Sequence, residues 1–145
     1  MLISVVLLGT VIVATLSALH TTVIATRVER DHSKAGQWLQ SAVQIVKATD
    51  FGDCKVVAGV PDSEFAARTL YENEIKDNTT APYGWTNGQI QIEGEIEVWS
   101  GTAWEDYTAA NACVDDLGPR LQRVRIQVTS PGGDIIEDIE VVKSG

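Results

Sequence analysis

The first 26 residues, MLISVVLLGTVIVATLSALHTTVIAT, are apolar almost throughout and contain no Asp, Glu, Lys or Arg. A run of that length suffices to cross a bilayer, which takes about 20 apolar residues. It is too long for the core of a secretory signal, and no convincing small-x-small cleavage site interrupts it. Polar residues then enter without breaking the helical repeat. From Val28 the apolar positions Val28, Ala35, Trp38, Leu39, Ala42, Ile45 and Val46 form one stripe, and Arg27, Arg30, Lys34, Gln37, Gln44 and Lys47 take the other face. Asp50-Phe51-Gly52-Asp53 is a breaker run, so the helix should end near Thr49. One helix from the start to Ala48 is expected, roughly 70 Å long at 1.5 Å per residue. Gly9 and Gly36 are the positions where it would bend.

Beyond Cys54 the period changes. Lys55–Val60 reads as a short extended or loop segment, and Pro61-Asp62-Ser63 opens a short helix over PDSEFAARTLYENEI, capped by Asp62 or Ser63. Asp77–Pro82 reads as a loop. Near Gln89 strict alternation begins: Ile90, Ile92, Gly94, Ile96 and Val98 against Gln89, Gln91, Glu93, Glu95 and Glu97, which predicts a strand with one core face and one wet face. Ser100–Ala103 should turn the chain, with Trp104–Tyr107 returning as a second strand. In Leu121–Thr129, Val124, Ile126 and Val128 share a face and Arg123, Arg125 and Gln127 the other. Ser130-Pro131-Gly132-Gly133 is a turn. Ile135–Val142 comes back with Ile135, Ile139 and Val141 on one face and Glu137 and Glu140 among the charged positions. The fold class is therefore α+β, a long N-terminal helix packed on a small antiparallel sheet of about four strands. The chain divides into an apolar helix half (1–26), an amphipathic helix half (27–49) and a β-rich head (50–145).

Charge sharpens that division. All 20 acids and 11 basic residues follow residue 26, so the stalk and head carry the whole net charge of −9. An acidic body repels phosphate backbones, and nucleic-acid binding is not expected. Arg27, Arg30 and Lys34 follow the apolar run and nothing basic precedes it, which on the positive-inside rule would leave the head in the cytoplasm. A basic leader lying upstream of Met1 would reverse that orientation. With the head exported, Cys54 and Cys113 are expected to pair, closing a loop of about 60 residues worth roughly 4 kcal/mol. The alternative is two buried thiols.

The stretch VLLGTVIVATLSALHTT (residues 6–22) resembles the N-terminal helix of type IV pilins just after its methylation motif, and LQRVRIQVTSPGGDIIEDIEVVKSG (residues 121–145) resembles the terminal hairpin of minor pilins and pseudopilins. In outline the resemblance covers the whole chain. The family's cleavage and methylation motif, a cleaved Gly followed by Phe or Met, Thr, Leu, Ile or Leu, and Glu, does not occur in this sequence. A start placed too far downstream, or a trimmed mature chain, accounts for that. If the missing glutamate directly preceded Met1, Gly9 would fall where many pilins carry a helix glycine. The resemblance implies a structural subunit of a type IV pilus-like or type II secretion-like filament. Its partners would be other pilin-like subunits, and before assembly the cytoplasmic membrane. The head would be extracytoplasmic, ending in a cell-surface or periplasm-spanning filament. Gly9, Ala14, Ser17, Ala18 and Thr21 offer small side chains for helix packing. The alternative is a binding module anchored by one membrane helix.

Candidate chemistry is sparse. His20 and His32 stand twelve residues apart on one helix, about 18 Å along its axis, too far to share a metal. The glutamates of QIQIEGEIE, like Asp115-Asp116 or Asp50 and Asp53, invite a cation-binding reading, but no Asp-x-Asp-x-Asp-Gly loop is present and a solvated face is expected. Arg123 and Arg125 should pair across the sheet with Glu95 and Glu97. Trp85, Trp99 and Trp104, with Tyr83 and Tyr107, read either as packing around a small core or as a surface-binding patch, with Trp99 the best candidate for an exposed contact. No nucleophile elbow, zinc-protease helix or phosphate loop occurs. An enzyme is not expected, nor any cofactor or metal.

Overall fold

The structure, a computed structural model, describes residues 2–49, 64–108 and 121–144, the side chains of 2–6 and 64–66 excepted. Cys54 and Cys113 lie outside these residues, as do the Lys55–Val60 segment, the cap at Asp62 or Ser63, and Asp115-Asp116.

Helix α1 (Leu2–Ala48) is unbroken, passing through both Gly9 and Gly36. It is followed by α2 (Glu64–Asn78) and by β1 (Ile90–Trp99), β2 (Trp104–Asp106), β3 (Leu121–Thr129) and β4 (Ile136–Ser144). The strands form one antiparallel sheet in the order β2-β1-β3-β4. Both helices pack on the sheet, α1 against β3 and β4, α2 against β1, and each touches the other. The fold is thus the expected α+β arrangement of a long helix on a four-stranded sheet.

Burial follows the residue pattern. On α1 the buried positions are Ala35, Trp38, Leu39, Ala42 and Val46, spaced to face one way. Fully buried Ala35 and Ala42 let the helix backbone come close to the sheet, where Ile90, Ile92, Ile96, Val98, Val124, Ile126, Val128 and Val141 form the facing surface. Ala67, Tyr71 and Ile75 complete the core from α2. That helix runs over Asp77 and Asn78, where a loop was expected. Asn78 Nδ2 bonds back to Glu74, and Thr79 Oγ1 donates to the Ile75 carbonyl, so the polar side chains close the last turn.

The alternation in β1 conceals an irregularity. Glu93 pairs with Arg125 and Glu97 with Arg123, so four steps along β1 match two along β3. The bulge adds two residues, and an even number leaves the alternation of faces intact. Gly94 sits in it at φ +72°, a conformation other residues rarely adopt, and is exposed although its phase puts it with the core. Because β2 pairs only with residues 97–99, the rest of that edge of β1 falls to α2. Arg68 donates to the Gly94 carbonyl, and the Ile92 amide donates to Glu72 Oε1 at 3.2 Å. The helix therefore shields a sheet edge that would otherwise offer itself to another strand.

Two buried polar groups in the head escape the alternation argument. Gln122 lies on the core face of β3, where its Oε1 accepts from the Tyr71 hydroxyl at 2.5 Å. Lys143 is buried at the end of β4, with Nζ donating to the Thr49 carbonyl and standing 5.2 Å from the Tyr71 ring centroid. A cation at the last carbonyls of α1 satisfies acceptors that the helix itself cannot.

The Tyr71–Gln122 pair gives a measurable expectation. Tyr71→Phe leaves the Gln122 oxygen buried without its donor and should cost about 1–3 kcal/mol, whereas Tyr71→Phe with Gln122→Leu should recover most of it. Burial first, and then the nearby Tyr107, hold the Tyr71 phenol well above its ordinary value of 10.0. The folded form therefore keeps a proton that the unfolded chain releases near that pH, and stability contributed by the neutral phenol is lost as pH rises above it. Denaturant titrations at neutral and alkaline pH should show this extra alkaline loss in the wild type and not in the Phe variant.

Candidate functional site

The feature of α1 that packing of the head leaves unexplained is its first half. Every residue from Leu7 to Arg30 is exposed, and the first buried one is Ala35. Nine large aliphatic side chains, Leu7, Leu8, Val11, Ile12, Val13, Leu16, Leu19, Val23 and Ile24, stand half-exposed or more in that stretch. By length and composition the helix is apolar enough to cross a membrane.

Its polar side chains are arranged to suit dry surroundings. Thr10, Thr15, Ser17, Thr21, Thr22 and Thr26 each turn the hydroxyl back to a carbonyl three or four residues earlier, at 2.8–3.1 Å. Each of these hydroxyl donors is thereby satisfied within the helix. His20 is the one titratable side chain between Leu7 and Thr26.

Of the small residues expected to pack, Ala14, Ser17, Ala18 and Thr21 fall at i, i+3, i+4 and i+7 of one continuous helix and share a face. Gly9 lies about 140° round the helix from Ala14, at 100° per residue, and does not join them. A Cβ placed on Gly9 would meet nothing within 4 Å, so no contact among the described residues requires the glycine.

The aromatic residues separate into two groups. Trp85 is buried, 6.2 Å from Trp38 and edge-on to it, and Trp38 Nε1 donates to Thr79 Oγ1 at 2.9 Å. Trp99 and Trp104 meet edge-to-face at 5.4 Å on the far side of the sheet, both half-buried, with the Arg123 guanidinium 4.7 Å from the Trp104 centroid. The expected single cluster is therefore split by the sheet. Tyr107 is buried, and Tyr83 is 95 % exposed on the loop before β1.

On that outer face Arg123 pairs with Glu97, as expected, while Arg125 stands 3.9 Å from Asp138 and from Glu140 of β4. Glu93, Glu95, Glu97 and Glu140 surround a shallow depression of about 220 Å³ together with both arginines, whose charges offset the acids a cation would need. Among the described residues no group of three or more His, Cys, Asp and Glu is placed to hold a metal ion. His32 Nδ1 lies 2.5 Å from Glu137 Oε1, tying α1 to β4.

A larger groove, about 470 Å³, opens where α1 meets the head. Ile24, Arg27, Val28, Arg30 and Lys34 form one wall; Tyr83 and the Ser130–Gly132 turn face them. Sequence reasoning took the basic residues as the polar face of a helix and as a signal of membrane orientation, not as the wall of a groove. Their neighbours across the groove are 49 or more residues away along the chain, and no local pattern announces them.

Comparison with protein-family models, with curated proteins and with solved structures finds no match to this chain.

Proposed function

We propose that the chain is a structural subunit of a type IV pilin-like filament, a minor pilin or pseudopilin, that assembles through the apolar half of α1 and catalyses no reaction. The observation that carries this reading is the continuity of α1. A single helix joins an exposed apolar half to a half buried under the sheet, without a linker between them. A head on a flexible tether would need such a linker, whereas a subunit that stacks its helix against neighbours needs the two halves rigidly joined. The back-bonded hydroxyls support the same reading, since they suit lipid before assembly and a dry helical bundle after it.

In lipid, apolar helices gain little from hydrophobicity when they meet, because the acyl chains are equally apolar. Association must then rest on close packing. Ala14→Leu with Ala18→Leu keeps the segment apolar but fills the small face. The double variant should remain in the carbonate-resistant membrane fraction at the wild-type level. Its recovery in filaments sheared from cells should fall by about tenfold, the size of packing contacts worth about 1–2 kcal/mol. Wild-type recovery of the double variant would show that this face does not pack and would favour a membrane-anchored binding module.

A further inference from the structure

We propose that the groove between α1 and the head binds the phosphate of an anionic phospholipid and holds the head against the bilayer before assembly. This rests on the reading of α1 as a membrane-crossing helix. Leu7 to Thr26 is 20 residues, which at 1.5 Å each span about 30 Å, the thickness of the hydrocarbon core. With that stretch in lipid, Ile24 lies at the acyl boundary, Arg27 and Arg30 lie at headgroup level, and Lys34, about 12 Å beyond Thr26, stands just outside it with a side chain long enough to reach back. Ile24, Arg27, Val28, Asp31 and Lys34 follow three- and four-residue spacing, so the groove wall is one helix face that passes from apolar to basic.

The charges of the groove fit a phosphate diester. Arg30 and Lys34 share one carboxylate, Asp31, at 3.9 and 3.6 Å. Arg27 has no ion-pair partner among the described residues. Asp134 is the other acid lining the groove, so three cations face two carboxylates in a chain of net charge −9. A guanidinium offers paired N–H donors that match two phosphate oxygens. The head supplies the other wall. Lys34 Nζ donates to the Tyr83 carbonyl at 3.3 Å, which fixes that loop at the groove mouth. The Tyr83 ring, nearly fully exposed, is of the amphipathic kind that settles at a lipid–water boundary. The volume lies within the range of about 300–1,000 Å³ usual for small-molecule sites. A zwitterionic choline headgroup carries its own cation and would lose much of this attraction.

The full-length chain, reconstituted in vesicles of equal phosphatidylglycerol and phosphatidylcholine, can be released into mild detergent and weighed with its retained lipid by native mass spectrometry. Phosphatidylglycerol should be retained in preference. Arg27→Gln should lower that preference about fivefold, and adding Arg30→Gln by about the same factor again, as expected for basic residues near an anionic surface. Lys47→Gln, on the same helix but away from the groove, should change nothing. Carbonate-resistant insertion, measured in parallel, should be the same for every variant. An inserted chain with no lipid preference, or with a preference that survives loss of both arginines, overturns the groove assignment and leaves the anchor standing. A chain that inserts in neither lipid overturns both. Equal displacement of the lipid by millimolar inorganic phosphate marks a soluble-phosphate site and also overturns the proposal.

Discussion

A chain beginning at Val28 will stay in solution as a monomer, whereas the full chain will partition into vesicles or aggregate without them. The nine large aliphatic side chains between Leu7 and Ile24 are 49–68 % exposed. Burying one such side chain is worth about 1.5–3 kcal/mol, so covering the rest of their surface stabilises the covered state by on the order of 10 kcal/mol. That is comparable to the whole stability of an ordinary domain, about 5–15 kcal/mol, and exceeds what a soluble monomer leaves exposed. Removing residues 1–27 deletes that surface yet keeps Ala35, Trp38, Leu39, Ala42 and Val46, the residues that α1 contributes to the core. Vesicle flotation and sedimentation equilibrium read the two outcomes directly. The truncated chain should also be missing from filaments. If it joined them as the full chain does, the helix would be no more than an anchor and the filament reading would fail.

Within that soluble fragment, Trp38→Ala should be the most damaging single change. Trp38 is 2 % exposed, meets Trp85 edge-on, and donates to Thr79 at the end of α2, so one side chain links α1, α2 and the loop before β1. Truncating a buried tryptophan costs about 3–5 kcal/mol, because the cavity does not fully collapse. In a domain of this size the midpoint of thermal unfolding should fall by roughly 10–20 °C. Trp99→Ala is the comparison. Its half-buried ring meets Trp104 on the outer face, and an aromatic pair is worth about 0.5–1.5 kcal/mol. Similar losses from the two changes would show that Trp38 is not the keystone of the packing, while a small loss at Trp99 would leave that ring free to be tested as a surface contact.

The disulfide expectation rests on Cys54 and Cys113 alone and concerns residues outside those the structure describes. It stands on the export reading of the apolar segment, as the filament reading does.

Much of this architecture is written in short-range periodicity. The apolar run and the Ala35–Val46 stripe determine a helix of this length, because spacing of three and four residues places side chains on one face wherever the chain lies. Alternation in Ile90–Val98 and Val124–Val128 determines two strands and which faces they bury, and Ser130-Pro131-Gly132-Gly133 determines the hairpin between β3 and β4. Only the tertiary structure decided the rest. The bulge at Gly94 adds an even number of residues and so leaves no trace in the alternation. Glu137 reads as one more solvent-facing acid, yet it shares the helix-side face of β4 with Ile139 and Val141 and meets His32, 105 residues earlier. Lys143 reads as a polar chain end and is buried because the carbonyl it satisfies, at Thr49, lies 94 residues away. Trp85 and Trp99 look like neighbours in sequence and stand on opposite sides of the sheet. Each of these outcomes depends on which distant group arrives opposite a residue, a quantity set by strand order and helix docking. Local spacing carries no record of it.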